Sequence, residues 1–396
     1  MKILLTCGDF KIGGVQKSLM EVIKLINENF NSEITILVNN NTGEWKTYVP
    51  ENVIIHELPN HIKGPQFTRK SFYNDIKNLS SIREVINFIK ISFVGFKNYK
   101  KKRLLYWEAI KYNNRSIIDE EYDLAISYNG GIDIWNQLVV DSIISKKKIC
   151  WIHGRIENLL LNKQYENKYL NKFDEIVVVS ENLKKNVYKH FDSLPKVKVI
   201  PNIINEQDII TKSRKSNIAV NYNITNFVSI GRIDTNKNYS LGVQSLKILA
   251  NKGYKFIWYI VGEGNRKEEL MELIHKENME QYIVLTGNLE NPYFLIREAD
   301  VLLHFALSEG YGLVLAESII LNTIVLSVNY EGVNEVITND NQGIIVSYNP
   351  NNIALNIEDI IKKPKSNLKD ERINTFLSNK EAYHQIISLI NKAIHS

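Results

Sequence analysis

The sequence has little of what ties a small secreted scaffold together or crosses a membrane. It contains 2 cysteines and 8 prolines among 396 residues, which excludes a disulfide framework and suits a reducing compartment. The apolar stretch within residues 1–7 is shorter than the roughly 7–15 residues of a secretory signal. No uncharged apolar run reaches the roughly 18 residues that a membrane-spanning helix needs. We therefore expect a cytoplasmic protein without membrane spans.

Three chemical signatures are absent as well. The sequence has no Asp-x-Asp pair and no His/Cys cluster at metal-ligand spacing, so we predict no metal site and no cofactor. It also lacks the G-x-G-x-x-G fingerprint of dinucleotide-binding proteins.

Positive charge is concentrated in one segment. The formal net charge is +5, yet residues 61–117 hold thirteen lysines and arginines against three acids, a net charge of +10, interleaved with ten aromatic residues. Such a segment suits an anionic membrane or a nucleic acid, whereas the simpler interpretation is a solvated helical face with core aromatics. Because no nucleic-acid-binding motif is visible, we expect no nucleic-acid partner and predict peripheral contact with the cytoplasmic face of an anionic membrane.

Strand patterns alternate with helical patterns along the chain, which is typical of parallel α/β layers. The first series of strands is predicted at residues 2–6, 33–38, 53–58, 122–128, 148–153, 175–180 and 197–200. The second is predicted at 226–230, 256–261, 283–286, 301–305, 323–327 and 343–346, with helices beginning near 239, 265, 291, 312 and 332. The polar residues 201–223 between the two series predict a linker.

These patterns predict an α/β protein of two Rossmann-like, doubly wound domains that face each other across a cleft. The first domain is predicted at 1–204, with the basic insertion at 61–117, and the second at 205–375. Residues 376–396 are expected to form a C-terminal helix that packs back on the first domain.

Two turns that follow predicted strands can hold an anion. Gly13 and Gly14 open the first helix, where bare backbone amides can approach an anion, although such turns are equally often structural. Arg232 and Lys237 follow the strand at 226–230 and precede a helix. A planar guanidinium and a mobile ammonium together suit a diphosphate.

The sharpest motif lies at residues 308–318. Glu309 is predicted in the loop after the strand at 301–305, and Glu317 follows eight residues later in a helix. Carboxylates accept hydrogen bonds from sugar hydroxyls, whereas backbone amides at a helix start suit phosphate. The residues expected to present those amides are Gly310, Tyr311, Gly312 and Leu313.

Together these motifs resemble the retaining family-4 glycosyltransferases of the GT-B fold, and within them bacterial enzymes that build surface polysaccharides such as capsule and lipopolysaccharide. The resemblance covers nearly the whole chain. Its other motifs are Gly-Gly-Val-Gln at 13–16, Trp-Ile-His at 151–153, Val-Ile-Pro-Asn at 199–202, Val-Gly-Glu-Gly at 261–264 and Tyr-Glu-Gly-Val-Asn-Glu at 330–335. Asn238 departs from the family, in which many members have glycine at this position.

The resemblance implies a role for each candidate residue. Arg232 and Lys237 would hold the donor's diphosphate, assisted by Gly13, Gly14 and the 310–313 amides. Glu317 would bind the ribose, Glu309 the transferred sugar, and His153 would lie near the donor sugar and the acceptor. The catalytic set is therefore Glu309, His153, Arg232 and Lys237.

The implied reaction moves a hexose or N-acetylhexosamine from a nucleotide sugar, with UDP preferred, to a glycan or lipid-linked acceptor. The first domain would face the acceptor and the second would bind the nucleotide sugar. Configuration would be retained and no metal would be needed. Two alternatives stay open on the same fold, a nucleotide-sugar epimerase and a non-catalytic sugar-nucleotide-binding subunit.

Overall fold

A computed structural model of the chain describes residues 1–58, 117–128, 134–154, 156, 163–215, 218–362 and 380–395. The basic segment predicted at 61–117 therefore lies almost wholly outside the described residues. The chain divides into two compact units. The first comprises residues 1–179, 183–200 and 383–396, and the second comprises residues 180–182 and 201–382.

The first unit contains a parallel sheet in the order β3-β2-β1-β4-β5-β6-β7. Its strands, within the described residues, are β1 Lys2–Cys7, β2 Glu33–Val38, β3 Val53–Glu57, β4 Glu121–Ser127, β5 Ile144–Ile152, β6 Glu175–Val178 and β7 Val197–Val199. The strands form because short apolar runs are buried on both faces of a parallel sheet. Leu4 and Leu5, which point to opposite faces of β1, are both fully buried.

Helices cover this sheet. Those of the first part of the chain are α1 Gly14–Asn29, α2 Ile134–Ser142, α3 Lys163–Leu170 and α4 Glu181–His190. One face of α1 is apolar and packs inward, since Leu19, Val22, Ile23 and Ile26 are all buried. The last helix of the chain is Lys380–His395. Its residues from 383 onward belong to the first unit, so it is labelled α5 with the helices of that unit. Lys392 on this helix contacts Glu175 of β6 at 3.1 Å, so the predicted return of the C-terminal helix is confirmed.

The second unit contains a parallel sheet in the order β10-β9-β8-β11-β12-β13. Its strands are β8 Thr225–Ile230, β9 Phe256–Val261, β10 Ile283–Gly287, β11 Val301–His304, β12 Ile324–Val328 and β13 Gly343–Val346. Its helices are α6 Glu206–Ser213, α7 Tyr239–Asn251, α8 Lys267–Lys276, α9 Tyr293–Glu298, α10 Leu313–Ile320 and α11 Pro350–Ile361. This order reverses direction between β8 and β11, as in doubly wound nucleotide-binding folds.

Alternate residues of each strand enter separate cores on the two faces of this sheet. Val301 and Leu303 pack in one core with α7, α8 and α11, whereas Leu302 packs in the other with α6, α9 and α10. Successive side chains of a strand point to opposite faces, so a strand with both faces covered is apolar throughout. The predicted fold class, α/β with two Rossmann-like doubly wound units, is confirmed.

Two local predictions were wrong. The supposed linker contains α6, whose Asn205 accepts the Asp208 amide at 3.0 Å as its N-cap and whose Ile209 is buried in the core. The helix expected from residue 332 is only the 3₁₀ turn Val333–Glu335. Among the described residues, no helix is both long enough and apolar enough to span a bilayer.

Candidate active site

The candidate site of the second unit lies at the carboxyl ends of β8 and β11. These strands are hydrogen-bonded neighbours, and the strand order reverses between them. In open α/β sheets, ligands bind outside the carboxyl ends of the strands at this switch point. The loop after β8 carries Arg232 and Lys237, and the loop after β11 carries Glu309 and leads to Gly312.

Close backbone packing shapes the loop after β8. Gly231 has φ +153°, and a Cβ on it would lie 2.7 Å from Cε of Lys237. A Cβ on Gly262 would lie 2.1 Å from the Gly231 carbonyl oxygen, so close approach of the backbone requires glycine at 262, whereas the positive φ favours glycine at 231. The Lys237 side chain therefore lies directly against the end of β8. Arg232 is exposed, and its side chain forms no hydrogen bond or ion pair with the residues that the structure describes.

Asn236 joins the two loops. Its Nδ2 donates to the Ser308 carbonyl at 2.8 Å, and its Oδ1 accepts from the Ser308 hydroxyl at 2.9 Å. The Leu307 amide donates to the Asn236 carbonyl at 2.8 Å. These three bonds connect residues about seventy positions apart and hold Lys237 next to Glu309.

A polar network runs across the carboxyl ends of the strands. Lys237 Nζ forms an ion pair with Glu309 Oε1. The same Oε1 contacts His304 Nε2 at 3.2 Å, and His304 Nδ1 contacts Ser327 Oγ at 3.2 Å. His304 and Ser327 end two neighbouring strands, so the sheet register itself aligns this network.

The network determines the protonation of its members. Burial alone would raise the pKa of Glu309, but the positive charge of Lys237 and the hydrogen bond from His304 lower it to about 2. Burial lowers the pKa of His304 from its usual value, with Lys237 acting in the same direction. At neutral pH Glu309 is therefore a carboxylate and His304 a neutral ring. Because a carboxylate only accepts, the ring proton lies on Nε2 and donates to Glu309.

The N-terminus of α10 completes the site. Gly312 is the N-cap residue, and its carbonyl accepts from the Leu315 and Ala316 amides at 3.0 and 3.4 Å. The amides of Leu313 and Val314 precede these bonds, so they have no acceptor within the helix and can face an anion. Glu317 lies one turn further along α10 and is 7% exposed.

The remaining candidates lie in the first unit. Gly13 is the N-cap of α1, with extended backbone, and Gly14 is the first residue of that helix. His153 follows β5 and is buried, with its ring 4.5 Å from that of Tyr128 and parallel to that of Trp151 at 6.1 Å.

The structure thus brings Lys237 and Glu309 into direct contact and places Arg232 and the 310–313 amides on the adjoining loops. The sequence reasoning missed Asn236, His304 and Ser327. Asn236 lies between the two predicted cations, Arg232 and Lys237. His304 lies within the strand predicted at 301–305, where a titratable side chain in an apolar strand is itself a signal. Among the described residues, no group of three or more His, Cys, Asp or Glu side chains could hold a metal ion.

The chain is similar in fold to proteins of known structure. A protein of Anabaena, HepE, solved in complex with UDP and glucose, superposes with a TM-score of 0.70 at 13% identity over 99% of both chains. This likeness shows the fold alone, which is that of the two Rossmann-like domains of GT-B glycosyltransferase structures.

A family model matches part of the second unit. Residues 208–375 match the family described as glycosyl transferases group 1, and the resemblance drawn from the sequence is confirmed. An uncharacterized glycosyltransferase of Methanocaldococcus jannaschii is 30% identical over 40% of this chain and 41% of its own length.

A second relative comes from Campylobacter jejuni. It is an N-acetylgalactosamine-N,N'-diacetylbacillosaminyl-diphospho-undecaprenol 4-alpha-N-acetylgalactosaminyltransferase, 27% identical over 56% of this chain and 58% of its own. The chain spans about half the length of these curated relatives.

Proposed function

We propose that the protein is a retaining, metal-independent glycosyltransferase of cell-surface polysaccharide synthesis. It transfers a hexose or N-acetylhexosamine from a UDP-linked donor to a glycan or lipid-linked acceptor. The observation that carries the proposal is the meeting of Lys237, Glu309 and the N-terminus of α10 at the carboxyl ends of β8 and β11. Cations and bare amides suit a diphosphate, and an adjoining ionised carboxylate suits the hydroxyls of a sugar.

In the proposed reaction, the bond between the anomeric carbon and the diphosphate oxygen breaks, and its electron pair goes to that oxygen. Arg232, Lys237 and the amides of α10 stabilise the negative charge that develops. The acceptor oxygen attacks from the same face and forms the new glycosidic bond. Its proton passes to the departing phosphate, so no protein base is needed and configuration is retained.

The ionisation of Glu309 limits its role. With a pKa of about 2 it carries no proton at neutral pH, so it cannot act as a general acid. One of its oxygens already accepts from Lys237 and His304. The carboxylate therefore acts as an oriented acceptor for a donor-sugar hydroxyl, while Glu317 is proposed to bind the ribose. Gly13, Gly14 and His153 of the first unit are proposed to assist at the donor and acceptor.

The comparisons support the donor and acceptor classes. The Anabaena protein was solved with UDP, and the Campylobacter relative is named for a diphospho-undecaprenol acceptor.

We also propose that residues 61–117 contact an anionic membrane. Co-sedimentation tests this, because the protein should pellet with anionic vesicles and stay in solution with neutral ones. Equal pelleting with both would contradict an electrostatic contact.

Ligand-induced thermal stabilisation tests the donor site. UDP, GDP and their linked hexoses and N-acetylhexosamines are compared at concentrations up to millimolar. A ligand at about 100 times its Kd adds roughly 2.7 kcal/mol of stability. Stabilisation by a UDP-sugar supports the proposal, and its absence for every nucleotide would contradict it.

Charge-matched variants locate the binding site. Arg232→Ala should weaken binding of the diphosphate. Arg297→Ala should leave this binding unchanged. Arg297 lies on α9, which leads into the amino end of β11, away from the candidate site, and it contacts Glu298 at 2.9 Å. Equal effects of the two substitutions would remove Arg232 from the diphosphate site.

Product analysis tests the chemistry. Glu309→Ala should still bind the nucleotide but lose sugar transfer, and unchanged transfer would remove Glu309 from the sugar site. NMR of the product should show the donor's anomeric configuration, and a chelator should leave the rate unchanged. An inverted product or a chelator-sensitive rate would contradict the corresponding part of the proposal.

A further inference from the structure

A buried tyrosine hydroxyl points at the N-terminus of α10. Tyr330 follows β12 by two residues and is 3% exposed. Its ring lies 5.5 Å from that of His304, and a Cβ built on Gly312 would lie 2.7 Å from Tyr330 Oη. The hydroxyl therefore lies directly against the N-cap residue of the helix that is proposed to face the diphosphate.

Glycine at position 312 makes room for this hydroxyl. Gly312 has φ +88°, a left-handed conformation that other residues adopt at a cost, and any side chain there would collide with Tyr330 Oη. Two features of the sequence thus act together, since the glycine that caps the helix also lets the phenol approach it.

The hydroxyl of Tyr330 has no hydrogen-bond partner among the residues that the structure describes. Another buried phenol of the second unit is satisfied, because Tyr239 Oη donates to the Gly231 carbonyl at 3.0 Å. A buried hydroxyl without a partner costs free energy, and phenylalanine would fill the same space without that cost. Packing alone therefore does not account for a tyrosine at this position.

The hydroxyl keeps its proton at neutral pH. Burial raises the pKa of Tyr330 above its usual value, and the negative charge of Glu309 raises it further. The protonated phenol lies against Gly312, which directly precedes the amides of Leu313 and Val314, so it adds a third donor at this helix N-terminus. Hydrogen-bond donors at a helix N-terminus are suited to an anionic oxygen.

We propose that Tyr330 binds the donor by donating a hydrogen bond to an anionic oxygen of its diphosphate at the N-terminus of α10. This inference rests on the proposed function and adds a residue to the donor site. In this arrangement Tyr330 holds the leaving group beside Gly312.

Tyr330→Phe removes only the hydroxyl. Binding of UDP and GDP is measured by calorimetry for wild type and variant, with UMP and GMP as ligands that lack the second phosphate. The diphosphate that binds the wild type should bind the variant about tenfold more weakly, as for loss of a hydrogen bond to a charged group. The matching monophosphate should bind both equally. The ligand-free variant should melt at the same temperature as the wild type or higher.

Tyr254→Phe is the matched control. Its Oη donates to Glu358 at 3.0 Å. Tyr254 lies just before β9, at the amino ends of the strands, whereas the candidate site lies at their carboxyl ends. This substitution should lower the melting temperature and leave nucleotide affinity unchanged.

Three results would overturn the inference. Equal diphosphate affinity in Tyr330→Phe and wild type removes the hydroxyl from the site while the proposed function stands. If Tyr330→Phe lowers the affinity for the monophosphate as much as the affinity for the diphosphate, the hydroxyl acts on another part of the nucleotide. A wild type that binds neither UDP nor GDP contradicts the proposed function, and the inference falls with it.

Discussion

Replacing Lys237 by methionine should strongly destabilise the second unit. The ion pair with Glu309 is mostly buried, with each side chain 18% exposed. The substitution keeps an unbranched side chain of nearly the same length but leaves the Glu309 carboxylate without its cation. Removing one partner of a buried pair typically costs about 3–5 kcal/mol. The fall of the Glu309 pKa from 4.5 to about 2 corresponds to a similar value, about 3 kcal/mol.

The dependence on pH follows from the direction of this shift. Because the folded-state pKa of Glu309 is lowered, its contribution is complete above the unfolded value of 4.5 and is lost as the pH falls toward 2. The stability of the wild type should therefore decline in this window relative to Glu309→Gln, which has no carboxylate to protonate at this position. In Lys237→Met the pKa of Glu309 should be higher and closer to its unfolded value, so the variant should lose less stability than the wild type over the same pH window.

Urea unfolding of the wild type, both single variants and the double variant measures the coupling between the two side chains. We expect a coupling free energy of about 2–3 kcal/mol, because the double variant removes both charges. Lys212→Met is the control, since its pair with Asp208 at 2.8 Å is solvent-exposed and worth at most about 1 kcal/mol. A coupling below about 0.5 kcal/mol, or equal losses for Lys237→Met and the control, would refute the reasoning.

Three further predictions concern the loops around this pair. Asn236→Ala should lower stability by about 1–3 kcal/mol, since it removes the side-chain bonds to Ser308, and unchanged urea unfolding would contradict the role of Asn236 in joining the loops. His304→Leu should slow sugar transfer more than it weakens nucleotide binding, because Glu309 loses an orienting donor. His304→Gln, whose amide can donate, should recover part of the rate. Equal rates for the two variants would contradict this role of His304. Asn238 has φ +48°, so Asn238→Ala should cost about 1 kcal/mol whereas Asn238→Gly should be nearly neutral, and equal melting temperatures would contradict the assigned strain.

Much of the fold follows from local patterns. The strands Glu33–Val38, Phe256–Val261 and Gly343–Val346 have the predicted bounds, because an apolar run between turn residues marks a buried parallel strand wherever it pairs. One helix could not be predicted from local composition. Residues 206–213 look like a polar linker by composition, yet burial of Ile209 in the core of the second unit makes them helical. That burial depends on a non-local contact, which the composition of a short segment does not reveal.

The types of residue at the candidate site, and the loops that carry them, could be predicted from the sequence. Arg232, Lys237, Glu309 and Gly312 each follow a strand, so their positions beyond strand ends could be read from the chain. Which of these residues meet depends on long-range pairing, because that pairing brings β8 and β11 side by side. That pairing sets Lys237 against Glu309, aligns His304 with Ser327, and brings Tyr330 to Gly312. These contacts arise because parallel strands place their carboxyl ends at one edge of a sheet, whatever their separation along the chain.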